Sequence, residues 1–369
     1  MIVLLVSILF VAGTGGILLS RIENKSNIAF VAYCAIYGLI LLESICLLTL
    51  RASTGEWLFT ILPNPNHGVF QAHPYLVGTI QPNSQIKVGK LKFSHNSSGF
   101  RSAAIDPVKS RIRVAAIGGS TTYGVGVDDS ETWPAVLQKK LGNKYEVINM
   151  GVPGHSSVEH QHFVSFILPQ YQPDIILLHV GLNDMHVGHT PNLEPDYANF
   201  HAPILASSLG LCMSDRLPKI AILRVAVILL QKADWYPSCY KKNESARFAG
   251  VDSYAIELYG RNLKNLFILS REISKNVIAI PQILVPDAVG TGEYDWWTPH
   301  LKQSSLTDQM QAYNEKTATI SKASGVKFLS EIERQTWSKQ DFADQSHLDK
   351  DANEKFAEIV FKAVSPPSG

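Results

Sequence analysis

Val114-Ala115-Ala116-Ile117-Gly118-Gly119-Ser120-Thr121-Thr122 carries four apolar residues straight into two glycines and a serine. An apolar run without polar alternation predicts a strand buried in a parallel sheet. Gly118-Gly119 permits a tight exit that side chains would block. Ser120 is then left at the carboxyl end of that strand, where open α/β sheets carry their chemistry. A glycine turn of this kind also fits a phosphate-binding loop, but the Gly-Lys-Ser/Thr ending of such a loop is missing.

Outward from this strand, five strand candidates alternate with helical stretches: Arg113–Gly118, Tyr145–Asn149, Asp174–Val180, Asn276–Pro281 and Val326–Ser330. The alternation predicts a parallel sheet covered by helices on both faces. Thr132-Trp133-Pro134 opens the first helix, with proline tolerated in its first turn. Apolar spacing predicts amphipathic helices over Tyr254–Ser274, Leu306–Ala323 and Ala352–Val364. Three strand ends carry polar blocks: Gly118-Gly119-Ser120, then Asn149-Met150-Gly151-Val152-Pro153-Gly154-His155, then Gly181-Leu182-Asn183-Asp184. A fourth block, Asp344-Gln345-Ser346-His347, stands near the carboxyl terminus.

These residue types fit one chemistry. A serine hydroxyl becomes a good nucleophile only when a base takes its proton. His347 can be that base, and Asp344, one turn away, can hold the imidazole tautomer and stabilise its protonated form. A tetrahedral intermediate needs donors aimed at its oxyanion. The backbone N–H groups of Ser120 and Gly154 and the side-chain amide of Asn183 can supply them. Asp184 is expected to be a structural hydrogen-bond acceptor.

In this order, the four blocks resemble those of the SGNH hydrolase superfamily, the GDSL-type esterases and lipases, from about Arg113 onward. The resemblance assigns Ser120 as nucleophile, Gly154 and Asn183 as oxyanion groups, and Asp344-Gln345-Ser346-His347 as the D-x-x-H block. The first block departs from the family pattern, reading Gly-Gly-Ser in place of Gly-Asp-Ser. The resemblance implies a three-layer, flavodoxin-like α/β fold with a five-stranded parallel sheet, hydrolysis of an ester, and no cofactor.

Before the sheet, Met1 to Ser20 is apolar and uncharged, Arg21 to Asn27 is polar, and Ile28 to Leu50 is apolar apart from Glu43. Each apolar run is long enough to cross a bilayer, which takes about 20 residues. A transmembrane helical hairpin over residues 1–50 is therefore expected, rather than a cleaved leader. Arg21 and Lys25 favour a cytoplasmic loop, with the rest of the chain outside in the periplasm or extracellular space. Glu43 is expected to reach the interface or to pair there. Trp57 and Phe59 suit the interface. Residues 51–112 read as a juxtamembrane linker and small β-rich collar. The collar ends in Asn96-Ser97-Ser98-Gly99-Phe100-Arg101 and resembles that of membrane-anchored bacterial members of the superfamily. Arg101 is better suited to a structural salt bridge or carbonyl contact than to a substrate anion.

Residues 113–369 form the expected hydrolase domain, interrupted by a cap insertion around 185–251. Its apolar run Ile220 to Leu230, broken by Arg224, fits either a buried cap helix or a lid that touches lipid. Cys212 and Cys239 either pair or remain free thiols, and Trp296-Trp297 forms either a substrate rim or a core-facing loop closure. Six histidines crowd the second and third blocks without a metal-site spacing, so no metal is expected. Lys+Arg 33 against Asp+Glu 32 leaves a net charge of +1, which gives no electrostatic footprint for nucleic acid. The expected partners are an ester substrate, either an O-acyl glycan or a lipid or small acyl ester, and a membrane. Two alternatives are an O-acyltransferase acting on a cell-surface polysaccharide and a catalytically inactive binding module.

Overall fold

The computed structural model describes residues 27–54, 69–71, 73, 76–189, 193–197, 220–233, 249–284, 301–344 and 346–365. The first apolar run, Trp57, Phe59, Cys212, Cys239, Trp296 and Trp297 lie outside these residues. The chain divides into two compact units. One comprises residues 1–64 and 204–239, and the other 65–203 and 240–369. The predicted cap insertion is thus shared between them.

In the first unit, helix α1 spans Asn27–Thr54. Its segment Phe30–Ala52 is 23 residues long and apolar enough to cross a membrane.

The second unit opens with two small antiparallel ladders. Strand β1 (Phe70–Gln71) pairs with β2 (Thr79–Ile80), and β3 (Gln85–Val88) with β4 (Leu91–Ser94). This segment is therefore β-structured between Phe70 and Ser94. It is fastened to the sheet by Phe100 and Arg101. The Asn96 carboxamide accepts from the N–H groups of Ser98 and Phe100 at 2.9 and 3.0 Å. That turn drives the Phe100 ring against Phe163 and Tyr171. Arg101 is buried. It donates to Asp129 at 2.9 Å and to the carbonyls of Lys92, Tyr123, Gly124 and Val127 at 2.6–3.1 Å. A planar guanidinium with five donors can satisfy this many acceptors at once.

The main sheet holds five parallel strands in the order β6-β5-β7-β8-β9. They are β5 (Ile112–Gly118), β6 (Tyr145–Asn149), β7 (Ile175–His179), β8 (Asn276–Ala279) and β9 (Lys327–Phe328). Alternate residues point to opposite faces, and each face has its own core. On one side Ala115, Ile117, Ile148, Ile176, Leu178 and Val277 pack under α4 (Ser157–Phe166), α7 (Ser253–Ile273) and α8 (Leu306–Ser324). On the other side Val114, Ala116, Val147, Leu177 and Ile278 meet α3 (Trp133–Leu141) and α9 (Lys350–Val364) through Trp133, Leu137, Phe356 and Val360. This two-sided burial explains the unbroken apolar strands. A fully buried aliphatic side chain contributes about 1.5–3 kcal/mol.

Strand order reverses at β5, which lies between β6 and β7. A crevice forms at the carboxyl ends of the strands where successive connections part in this way. Ser120 leaves β5 at that point as the first residue of α2 (Ser120–Tyr123).

Candidate active site

Three chain segments converge on Ser120. The end of β6 stays in register with β5, through Met150 N–H to Ala116 O at 2.9 Å and Val152 N–H to Gly118 O at 3.0 Å. Gly151 lies against the backbone of Thr122 and Tyr123, leaving no room for a side chain. The segment then turns at Gly154, whose φ of 83° is the left-handed region that glycine adopts without strain. After β7, helix α5 (Leu182–Gly188) begins with Leu182 and Asn183.

Ser120 and Asn183 line one narrow cavity with His155, His160, His179 and Gln282. The Asn183 amide donates to the His155 carbonyl at 2.9 Å. The His155 ring is itself buried and lies 2.8 Å from the Gly78 carbonyl of the collar. Gly119 passes close beneath this amide. A Cβ there would lie 2.5 Å from Asn183 Nδ2. The glycine that replaces the family's aspartate therefore faces the oxyanion candidate directly. Burial lowers the His160 and His179 pKa values to about 4 and about 3. Both rings are thus neutral at neutral pH, and His179 Nδ1 lies 3.1 Å from Thr122 Oγ1.

Asp344 and His347 sit in a loop closed by a bridge between Phe342 and Leu348 and by Ala343 N–H to His347 O at 2.8 Å. Within it, His347 Nδ1 lies 2.7 and 2.8 Å from the two Asp344 carboxylate oxygens. The N–H groups of Ser346 and His347 donate to Asp344 Oδ1 at 3.0 Å. Partial burial works to raise the Asp344 pKa. Hydrogen bonds from His347, its charge, and the two backbone donors outweigh that and hold the pKa below the usual carboxylate value. His347 Nε2 is buried without a hydrogen-bond partner among the described residues. The loop lies beside the exit from α2. A Cβ on Gly126 would come 2.9 Å from Ala343 Cβ and 4.0 Å from His347 Cβ. Glu131–Lys350 at 3.2 Å and Trp133 N–H to Asn353 Oδ1 at 2.9 Å tie the two segments together on either side.

The cavity thus brings Ser120 and Asn183 together, while Gly154, Asp344 and His347 are not among the described residues lining it. Sequence reasoning assigned no role to His155, whose carbonyl positions Asn183, or to Ser157 beneath it. Asp184 is a buried acceptor, as expected. It takes hydrogen bonds from Ser157 N–H at 3.0 and 3.1 Å, from Ser157 Oγ, and from Tyr197 Oη at 3.4 Å. Asn262 Nδ2 donates to Ser157 Oγ at 3.0 Å. Burial raises the Asp184 pKa to about 7 against these hydrogen bonds, and burial likewise raises Glu159 to about 7. Ser157 is the first residue of α4, whose start is closed separately by a Ser156–Glu159 capping box.

Residues 116–355 match the GDSL-like lipase/acylhydrolase family. The chain belongs to that family. It is 32% identical over 92 residues to thioesterase 1/protease 1/lysophospholipase L1 of Escherichia coli, a match spanning 25% of this chain and 41% of that protein. It is 31% identical over 78 residues to esterase TesA of Pseudomonas aeruginosa, spanning 20% of this chain and 39% of the relative. The alignments thus cover about two fifths of each curated relative. Among solved structures, TesA is similar with 14% identity and a TM-score of 0.40, over 69% of this chain and 98% of that chain. An acetylxylan esterase from Geobacillus stearothermophilus is similar with 11% identity and a TM-score of 0.38, over 68% and 92% of the two chains.

Proposed function

We propose that this protein is a membrane-anchored, extracytoplasmic serine esterase that cleaves a carboxylic ester through an acyl-Ser120 intermediate. His347 Nε2 takes the Ser120 proton as the hydroxyl oxygen attacks the ester carbonyl. Asp344 holds the ring so that Nε2 faces the serine, and its negative charge stabilises the imidazolium. The oxyanion is received by the N–H groups of Ser120 and Gly154 and by the Asn183 amide. Collapse of the intermediate expels the alcohol, which takes the proton from His347. Water then repeats the sequence to release the acid.

The observation that carries this reading is the Asp344–His347 pair at 2.7 Å, with Nε2 buried and without a hydrogen-bond partner among the described residues. Its loop lies against Gly126, just after the serine that shares a cavity with Asn183. The complete set of residue types argues against an inactive binding module. The apolar length of α1 supports the anchor. Arg21 and Lys25, in the polar break between the apolar runs, support a hairpin with the catalytic domain outside.

A fluorophosphonate probe tests the nucleophile. Wild type should label and Ser120→Ala should not; labelling that persists in Ser120→Ala places the nucleophile elsewhere. A panel of acetyl, butyryl and long-chain esters separates glycan O-acyl from lipase-like preference. Product analysis with an acyl donor and a polysaccharide acceptor separates hydrolysis from transfer, since transfer yields acylated glycan. A periplasmic reporter fused after Gly369 should be active, and activity of a cytoplasmic reporter there would reverse the orientation.

A further inference from the structure

Glu43 stands inside the apolar span of α1. Its carboxylate accepts the backbone N–H of Ala221 at 2.6 Å and of Ile222 at 2.9 Å. These are the first two residues of helix α6 (Ala221–Lys232). The first N–H groups of a helix have no partner within it, and that end carries partial positive charge. The Glu43 carboxylate answers both. Further along α1, Cys46, Leu47 and Leu50 pack with Ala221, Ile222, Val225 and Ile228. The two helices therefore lie side by side and run in the same direction from Glu43. Their outer surfaces stay apolar: Leu223, Leu229 and Leu230 are exposed on α6, and Leu39, Leu42 and Leu48 on α1.

We propose that α6 is a second membrane element, a lipid-embedded half-helix whose partner is the acyl-chain region of the bilayer that α1 crosses. This rests on the anchoring read above. The twelve residues of α6 rise about 18 Å, short of the roughly 30 Å hydrocarbon core, so the helix enters without crossing. Glu43 lies about 13 Å of helix rise before Ala52, the end of the apolar span. Starting at that depth and running parallel to α1, α6 climbs back to finish at Gln231-Lys232, near the level of Arg51. In hydrocarbon no water can satisfy free N–H groups, which gives a carboxylate at position 43 its use. The outward leucines of both helices then form one continuous lipid-facing surface.

The test uses the full chain in phospholipid vesicles, with Cys34, Cys46, Cys212 and Cys239 replaced by alanine. Single nitroxide labels go on Leu223→Cys and Leu229→Cys in α6, on Leu39→Cys in α1, and on the exposed Phe166→Cys of the second unit as an aqueous reference. Relaxation by oxygen is compared with relaxation by a water-soluble nickel chelate. The labels at 223, 229 and 39 should favour oxygen, and the label at 166 should favour nickel. Glu43→Ala should move the α6 labels towards the nickel-accessible class and leave position 39 unchanged. Nickel-accessible labels at 223 and 229, with position 39 in lipid, would overturn the α6 proposal and leave the anchor standing. A nickel-accessible label at 39 would overturn the anchor itself. Labels on α6 shielded from both reagents would mean a protein contact, such as a second copy, and would also overturn the assignment to lipid. α6 labels unmoved by Glu43→Ala would refute the pinning role of Glu43.

Discussion

Replacing Asn183 by alanine separates two jobs of one amide. A carboxamide nitrogen has two donors. One is used at 2.9 Å on the His155 carbonyl, which leaves the other for the cavity shared with Ser120. Losing the first bond removes one buried hydrogen bond, at a cost of about 0.5–1.5 kcal/mol in stability. In a domain of this size that corresponds to roughly 2–4 °C in Tm for each kcal/mol. Losing the second donor removes a contact that strengthens only as charge builds on the substrate oxygen. Removal of one such donor lowers kcat about 10²–10³-fold, or about 2.7–4 kcal/mol of transition-state stabilisation. KM should change little, because the neutral ester gains little from that donor. The assay is kcat and KM on a short-chain ester at a temperature where thermal unfolding shows the variant to be folded. A folded Asn183→Ala enzyme with kcat within a few-fold of wild type would refute the oxyanion assignment.

Asp344→Asn should lower kcat by about 10³–10⁴-fold with the fold intact, because the amide favours the wrong imidazole tautomer; ester kinetics beside circular dichroism check this. Gly119→Ala puts a methyl group 2.5 Å from Asn183 Nδ2, and should reduce kcat at least about tenfold while costing about 1–3 kcal/mol; a fully active variant would contradict the close approach. Arg101→Ala strips donors from Asp129 and four carbonyls, and should destabilise the second unit by about 3–5 kcal/mol in denaturant unfolding, with Arg101→Lys rescuing only part. The Asp184 pKa is raised on folding from 3.8 to about 7, so the native state holds that proton more tightly than the unfolded chain. Its contribution is therefore full below about pH 4 and is lost as pH rises towards 7; Asp184→Asn should flatten that part of the stability profile, and an unchanged slope would refute it.

The sheet was legible because strands buried on both faces leave unbroken apolar runs. Tyr145–Asn149 appears residue for residue as expected. The edge strand expected over Val326–Ser330 forms its ladder only at Lys327–Phe328. Helix ends agree to within about two residues, as capping residues such as Asp252 and Asp349 dictate. Of the candidate site, residue type and order picked out Ser120 and Asn183, which share one cavity, and Asp344 and His347, which pair. The support beneath it was less legible. His155 acts on Asn183 through its backbone carbonyl, which carries no residue-type signature. The bond from Glu43 to the start of α6 joins distant parts of the chain, and no local periodicity announces it.

The bridge between Phe342 and Leu348 gives the acid–base pair a peculiar independence. Asp344 and His347 are neighbours in sequence, so their contact is closed by a short loop at small entropic cost. Ser120 belongs to the other end of the domain, and in the proposed mechanism its approach to His347 would depend on how α9 is seated through Asn353 and Lys350. Fraying of that terminal helix would carry the pair away intact, like a plug drawn from its socket. Ester turnover should then vanish while the parallel sheet and its circular dichroism persist, which makes activity an earlier witness of terminal loosening than any spectroscopic probe of the core.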